Sequence, residues 1–275
     1  MNLVQTKIKA NHVAFINSVF FGIIAACFVV LFQIAFNILI GKLLGQQLSL
    51  TDSCIYYIVS AESWTQQKVI MLYSIPFISQ VILFLFFGIM FYKTIECNGY
   101  LRIFLAWGFI FSFSFLIGSV LFGCFIYDGF GIVLSYLHMG IVAKIIIASI
   151  CLFILLLAAF FMYKYLLLTA NIYYLSIKPE EFNSFLFFQF LLPSVLISAL
   201  MFVAIRPSIF YNYLLLIVPI VFVLLLFMNT SQKHQINFFE TEADTISYKI
   251  LPAPIIIAVA LLAFTKYILH INILI

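Results

Sequence analysis

The chain has 275 residues, of which 66% are hydrophobic and 8% charged, and its formal net charge is +4. A soluble domain is about half apolar and about a quarter charged, so most of this surface must face lipid, and the class expected is an all-α, polytopic integral membrane helical bundle. The sparse, dispersed basic residues argue against nucleic-acid binding, which needs a basic stripe. Apolar runs far longer than about ten residues argue against a β-barrel.

A membrane span needs about 20 apolar residues at about 1.5 Å each. Residues 1–275 are read as a single transmembrane domain with its N-terminus cytoplasmic. The first segment, Val13–Ile40, follows Lys7 and Lys9. It is far longer than the roughly 7–15-residue apolar region of a signal peptide and no Ala-x-Ala follows it, so it reads as a retained span. Gly41–Lys68 is predicted to be an extracytoplasmic amphipathic loop, with Tyr56, Tyr57 and Trp64 suited to the headgroup zone. Val69–Tyr92 and Arg102–Ile126 are the second and third spans.

The stretch from Gly131 to Ala170 is too long for one crossing. Lys144 and Lys164 bracket about 30 Å of helix and can snorkel to opposite interfaces, which places the fourth span over Ile145–Met162 and its flanks and leaves "GIVLSYLHMGIVA" at the interface. A sharper reading pairs Lys144 with Asp128 inside the bundle. Phe182–Ile205 and Ser208–Met228 are separated only by Arg206 and Pro207, which predicts a tight helical hairpin. Were that pair one re-entrant element, the count would fall from seven spans to six. Asn229–Lys249, with Glu240, Glu242 and Asp244, is read as a cytoplasmic acidic loop, and Leu251–Ile271 as the last span. Orientation rests on Lys7, Lys9, Lys93, Arg102, Lys164, Lys178, Lys233 and Lys249 lying on one side, against Lys42, Lys68, Lys144, Arg206 and Lys266 on the other.

No reactive motif emerges. His12, His138, His234 and His270 are isolated, the cysteines form no CxxC pair, and HExxH, GxSxG and P-loop patterns are absent. No metal or cofactor is therefore expected, and no catalytic residue is assigned. The intramembrane amides are the better lead, because an unpaired amide in hydrocarbon costs several kcal/mol. Gln33 and Asn37 share a helix face; Gln80 follows Pro76 by four residues, and Gln189 precedes Pro193 by four. They either staple helices and service proline kinks or form a mid-membrane polar pocket of Gln33, Asn37, Gln80 and Gln189. No acidic residue lies well inside a span, so an ion-coupled carrier would lack its usual carboxylate.

The third span carries Ser114, Gly118, Ser119 and Gly123 at spacings of four, forming adjoining strips of one face. Association between helices in lipid depends on close packing through small side chains, so this helix is expected to be enclosed by others. Arg102 and Trp107 are expected near its cytoplasmic end at the interface.

The order Leu-Arg-Ile-Phe-Leu-Ala-Trp (101–107), followed by small residues, Gly118, Gly123 and Asp128-Gly129, resembles a stretch in polytopic bacterial membrane proteins related to site-2-type (M50-like) metalloproteases. The resemblance implies a shared helical scaffold without peptidase chemistry, since the family's HExxH motif has no counterpart here. Three functions are carried forward: a non-catalytic membrane subunit or scaffold that binds other membrane subunits in the bilayer; a small-molecule or lipid transporter built on kinked helices and the polar pocket; and a degenerate M50-like intramembrane protein. A Lys-dominated basic set with abundant Ile and Phe favours a bacterial inner (cytoplasmic) membrane.

Overall fold

Helix α1 (Leu3–Leu43) runs 41 residues without a break. At about 60 Å it is twice the hydrocarbon thickness, so its ends must meet polar groups outside the apolar layer. The computed structural model describes residues 3–51, 54–58, 64–94, 99–174, 176–205, 210–227, 236–237, 250–270 and 273–274. Strands β1 (Gln47–Thr51) and β2 (Cys54–Ile58) follow, then α2 (Gln66–Lys93), α3 (Tyr100–Gly123), the short α4 (Phe130–Tyr136) and α5 (Ile141–Leu167). A 3-10 turn over Leu168–Ile172 leads to β3 (Ser176–Ile177). Then come α6 (Pro179–Leu186), a π turn (Phe187–Leu191), α7 (Leu192–Ile205), α8 (Phe210–Phe227), β4 (Ile236–Asn237), α9 (Pro252–His270) and β5 (Ile273–Leu274).

Among the described residues six helices are long and apolar enough to cross a membrane: α1, α2, α3, α5 with its 3-10 turn, the continuous α6–α7, and α9. Apolar α8, shorter over its described stretch Leu214–Phe227, is the candidate for a seventh. The chain is thus an all-α integral membrane bundle, and strand pairing supports the count. β1 pairs with β2 and with β5; β3 pairs with β4. If every long helix crosses, β1 after α1 and β5 after α9 reach the same end, while β3 after α5 and β4 after α8 reach the opposite end. Were α8 not a crossing, β4 could not meet β3. The tight turn expected at Arg206 and Pro207 and nearly all of the 229–249 loop lie outside the described residues.

The segment read as an amphipathic loop holds an antiparallel hairpin, with Leu48 opposite Tyr57 and Ser49 opposite Tyr56. Leu48 and Leu50 are buried, and Leu48 lies against Gly41 at the end of α1. Alternation of inward leucines with polar neighbours suits a half-buried strand.

Helix α3 is the most enclosed of the six candidate spans. It packs against α1, α2, α5 and α8. Arg102 and Trp107, in the N-terminal third of α3, face protein and not headgroups: they are only 2% and 0% exposed. The Arg102 guanidinium donates to the Leu168 carbonyl at 3.2 Å and sits 5.7 Å from the Phe91 ring centroid, so helix-end carbonyl and ring contacts take the place of snorkelling. Trp107 is buried because Gly22 leaves room for its indole on α1, and its N–H donates to Ser18 Oγ at 2.8 Å.

The small residues of α3 divide among neighbours. A Cβ on Gly118 would lie 2.9 Å from Val218 Cγ2, so Gly118 seats α8. A Cβ on Gly123 would instead lie 2.8 Å from the backbone nitrogen of Gly131 at the start of α4, so Gly123 seats that corner. Ser114 is fully buried, whereas Ser119 faces a cleft rather than a helix. Gly108, against Phe87 of α2, is a further close approach that sequence spacing did not single out.

Candidate functional site

The cleft lies at the hairpin end of the bundle, where the C-terminal halves of α1 and α3 meet the N-terminal halves of α2 and α8. Its volume is about 240 Å³, and it is neither sealed nor flat. α1 supplies Gln33, Ile34 and Asn37; α2 supplies Leu72, Tyr73, Pro76, Phe77 and Gln80; α3 supplies Phe115 and Ser119; α8 supplies Asn212 and Leu215. Ile55, Tyr56 and Tyr57 of β2 form one wall, and Asp128, Gly129, Phe130 and Ile132 another.

Three of the four amides expected to form a polar pocket therefore come together. Gln33 and Asn37 lie one turn apart on α1, and the Gln80 side-chain N–H donates to Gln33 Oε1 at 2.7 Å across the α1–α2 contact. Asn37 is 5% exposed and Gln80 3%, yet Asn37 Oδ1 and Gln80 Oε1 accept no hydrogen bond. Buried polar atoms are normally satisfied, so the cleft presents unmet hydrogen-bonding capacity. Ser119 Oγ turns to the carbonyl of Leu116 at 2.8 Å.

Gln189 does not join them. Its side chain is fully buried in the π turn on the other side of α1, and neither amide atom finds a partner. The proline relationship explains its position. Pro193 has no N–H, so the carbonyl four residues earlier, that of Gln189 itself, loses its helical donor. The Ser18 hydroxyl on α1 donates to that carbonyl, and Ser18 Oγ accepts from the Trp107 indole. A π turn is a frequent companion of such a local ladder defect.

Pro76 poses the same problem on α2, and again a hydroxyl solves it rather than the neighbouring amide. The carbonyl freed is that of Leu72, and Tyr57 OH of the hairpin donates to it at 3.3 Å. Ser79 Oγ donates to the Pro76 carbonyl at 2.6 Å. Gln80, expected to service this kink, is released to face Gln33. Burial, with Tyr73 beside it, pushes the Tyr57 hydroxyl up to about 12, so the latch stays a neutral donor across the physiological range.

Asp128 reaches the cleft from the corner between α3 and α4. Gly131 packs against the Ile126 and Gly123 carbonyls, where a Cβ has no room, and Gly129 turns at φ 50°, a region favoured by glycine. The Asp128 carboxylate accepts from the Gly129 N–H at 2.7 Å. Burial raises its carboxyl above the ordinary value, and the Gly129 N–H offsets part of the rise. The expected Asp128–Lys144 ion pair is not formed: the Lys144 ammonium donates to Ser135 Oγ at 3.3 Å. α4 ends at Tyr136 and α5 begins at Ile141, so Lys144 lies in the first turns of α5 and its side chain reaches back to α4. The carboxylate that the spans lack is thus supplied by a connecting segment.

Sequence reading also missed a polar layer at the opposite end. Tyr174 OH donates to Asn11 Oδ1 at 2.6 Å, Asn11 donates to Ser184 Oγ at 3.2 Å, and Asn17 donates to Tyr173 OH at 3.4 Å. Both asparagines lie on long α1, Asn11 ahead of the apolar run Val13–Ile40 and Asn17 in its first turns. Among the described residues no group of three His, Cys, Asp or Glu side chains converges to hold a metal. Comparison with known protein families, curated proteins and solved structures gave no match.

Proposed function

We propose that the chain binds a small solute in this cleft and passes it across the membrane. The observation that supports the reading is the convergence of Gln33, Asn37, Gln80 and Asp128 on one cavity, with two amide oxygens left unmet. Amides placed only to staple helices would be expected to satisfy one another, so a purely scaffolding subunit leaves this cavity unexplained. Helix α2 carries Pro76, which removes one bond of its ladder, at the cleft wall, and locally weakened helices beside a polar cavity are the usual setting of transporter sites. At about 240 Å³ the cleft falls below the roughly 300–1,000 Å³ of drug-sized pockets, which favours a small solute over a whole lipid.

With the N-terminus cytoplasmic, as the Lys and Arg distribution favours, the cleft faces the extracytoplasmic side of a bacterial inner membrane and the β3–β4 pair faces the cytoplasm. A membrane-impermeant thiol reagent applied to either face of proteoliposomes carrying Asn37→Cys in a cysteine-free background tests the proposal. Transport predicts labelling from the hairpin side and slower labelling from the other. Labelling from one side reduces the role to solute binding, and labelling from neither removes it.

A further inference from the structure

We infer that the cleft selects a small organic cation with N–H donors, a primary alkylammonium, with Asp128 as its counter-charge. The inference rests on the solute-binding reading and names the ligand class. Among the described residues Asp128 is the one ionisable carboxylate lining the cleft, and no Lys, Arg or His lines it. Lys144, the cation nearest in sequence, is engaged with Ser135 instead. Among the described residues nothing lining the cavity compensates the negative charge of an ionised Asp128, and burial makes that form costly without a positive partner.

The unmet atoms agree in sign. Asn37 Oδ1 and Gln80 Oε1 are acceptors with no donor among the described residues, and an ammonium brings three N–H donors and no acceptor. Turning the Gln33–Gln80 pair over would exchange which amide presents its oxygen, but the Asp128 carboxylate keeps its polarity. Among the described residues an anion would meet a carboxylate here and no cationic side chain.

Much of the rest of the wall is aromatic, with aliphatic side chains between the rings. Tyr56, Tyr57, Tyr73, Phe77, Phe115 and Phe130 line the cleft, and Phe77 and Phe130 stack at 4.7 Å between centroids. Ring faces attract organic cations and suit an alkyl chain. They give nothing comparable to sodium, which needs a closed shell of oxygen ligands.

The test uses the full chain in detergent with three four-carbon probes of different charge, n-butylammonium, n-butanol and butyrate, each followed by isothermal titration in potassium buffer. Butylammonium is expected to bind at least ten-fold more tightly than either other probe, and Asp128→Asn to lower its affinity at least ten-fold. Sodium at equal concentration should not displace it. Equal binding of butanol and butylammonium, or displacement by sodium, overturns the cation assignment while leaving a solute cleft in place. Failure of butylammonium to bind also overturns it. The comparison among probes on the unmodified chain holds even if the variant misfolds. Reagent access to Asn37→Cys judges the underlying cleft separately.

Discussion

The Tyr57 hydroxyl donates to the Leu72 carbonyl at 3.3 Å, and Leu72 is the residue whose carbonyl Pro76 leaves without a helical donor. One hydrogen bond therefore closes two gaps: it repairs the kink in α2 and pins the β-hairpin over the cleft. At the far side of α1, Ser18 does the same for Gln189 and Pro193. In both places the repair comes from a different element, so each kink is also a tertiary contact.

Tyr57→Phe keeps the ring and removes the donor. A buried carbonyl left unmet costs about 1–3 kcal/mol. The thermal midpoint in detergent should fall, and the backbone amides of β2 should exchange with deuterium faster while those of α9 do not. Unchanged exchange in β2 would mean that the hairpin is held by its strand pairing alone.

Trp107→Phe and Ser18→Ala should be strongly coupled, because Ser18 bridges the indole to the Gln189 carbonyl. Each alone should destabilise by about 1–2 kcal/mol, and the double variant should cost clearly less than their sum. Additive effects in a double-mutant cycle would show that the two contacts act separately.

Gly118→Leu forces a side chain into Val218 and Leu215 of α8. Overpacking of this kind costs about 1–3 kcal/mol or more, so the variant should give less monodisperse protein on size-exclusion chromatography. Leu121→Ala, at a half-buried position of the same helix, should be milder. Similar behaviour of both would contradict the close α3–α8 seat.

Asp128→Asn removes a carboxylate whose folded-state pKa is raised. A raised value means that the protonated form favours folding at low pH, and that this contribution is lost as pH rises through the folded pKa. The thermal midpoints of wild type and variant should therefore agree in acid and separate as pH rises, with the variant the more stable near neutrality. A gap that widens towards acid would have the wrong sign.

The spans were legible because a run of about 20 apolar residues has few alternatives in any protein. Lys144 and Lys164 located the fourth correctly, and the break at Leu137–Gly140 separates α4 from α5. The hairpin was hidden because Gly41–Lys68 was read for amphipathicity rather than for alternation: Leu48 and Leu50 flanking Ser49, with Thr51-Asp52-Ser53 behind them, were the available signal. That Trp107 faces protein was not legible, because the room for its indole is left by Gly22 on a different helix. Local spacing put Gln33 and Asn37 on one face, but which helices face each other is a tertiary fact. That fact brought Gln80 to Gln33 and sent Gln189 elsewhere, and it delivered Asp128 to a cleft that no span's own sequence could supply with charge.

Ser114 and Ser119 provide the most direct test of the cleft. They lie little more than a turn apart on α3; Ser114 is fully enclosed by protein, and Ser119 lines the cavity. Single cysteines at each, in a cysteine-free background, can be timed against a charged, water-soluble methanethiosulfonate. The account predicts rapid modification at position 119, slowed when the cavity is occupied, and little or none at position 114. Equal rates at the two positions, or protection of both, would contradict it.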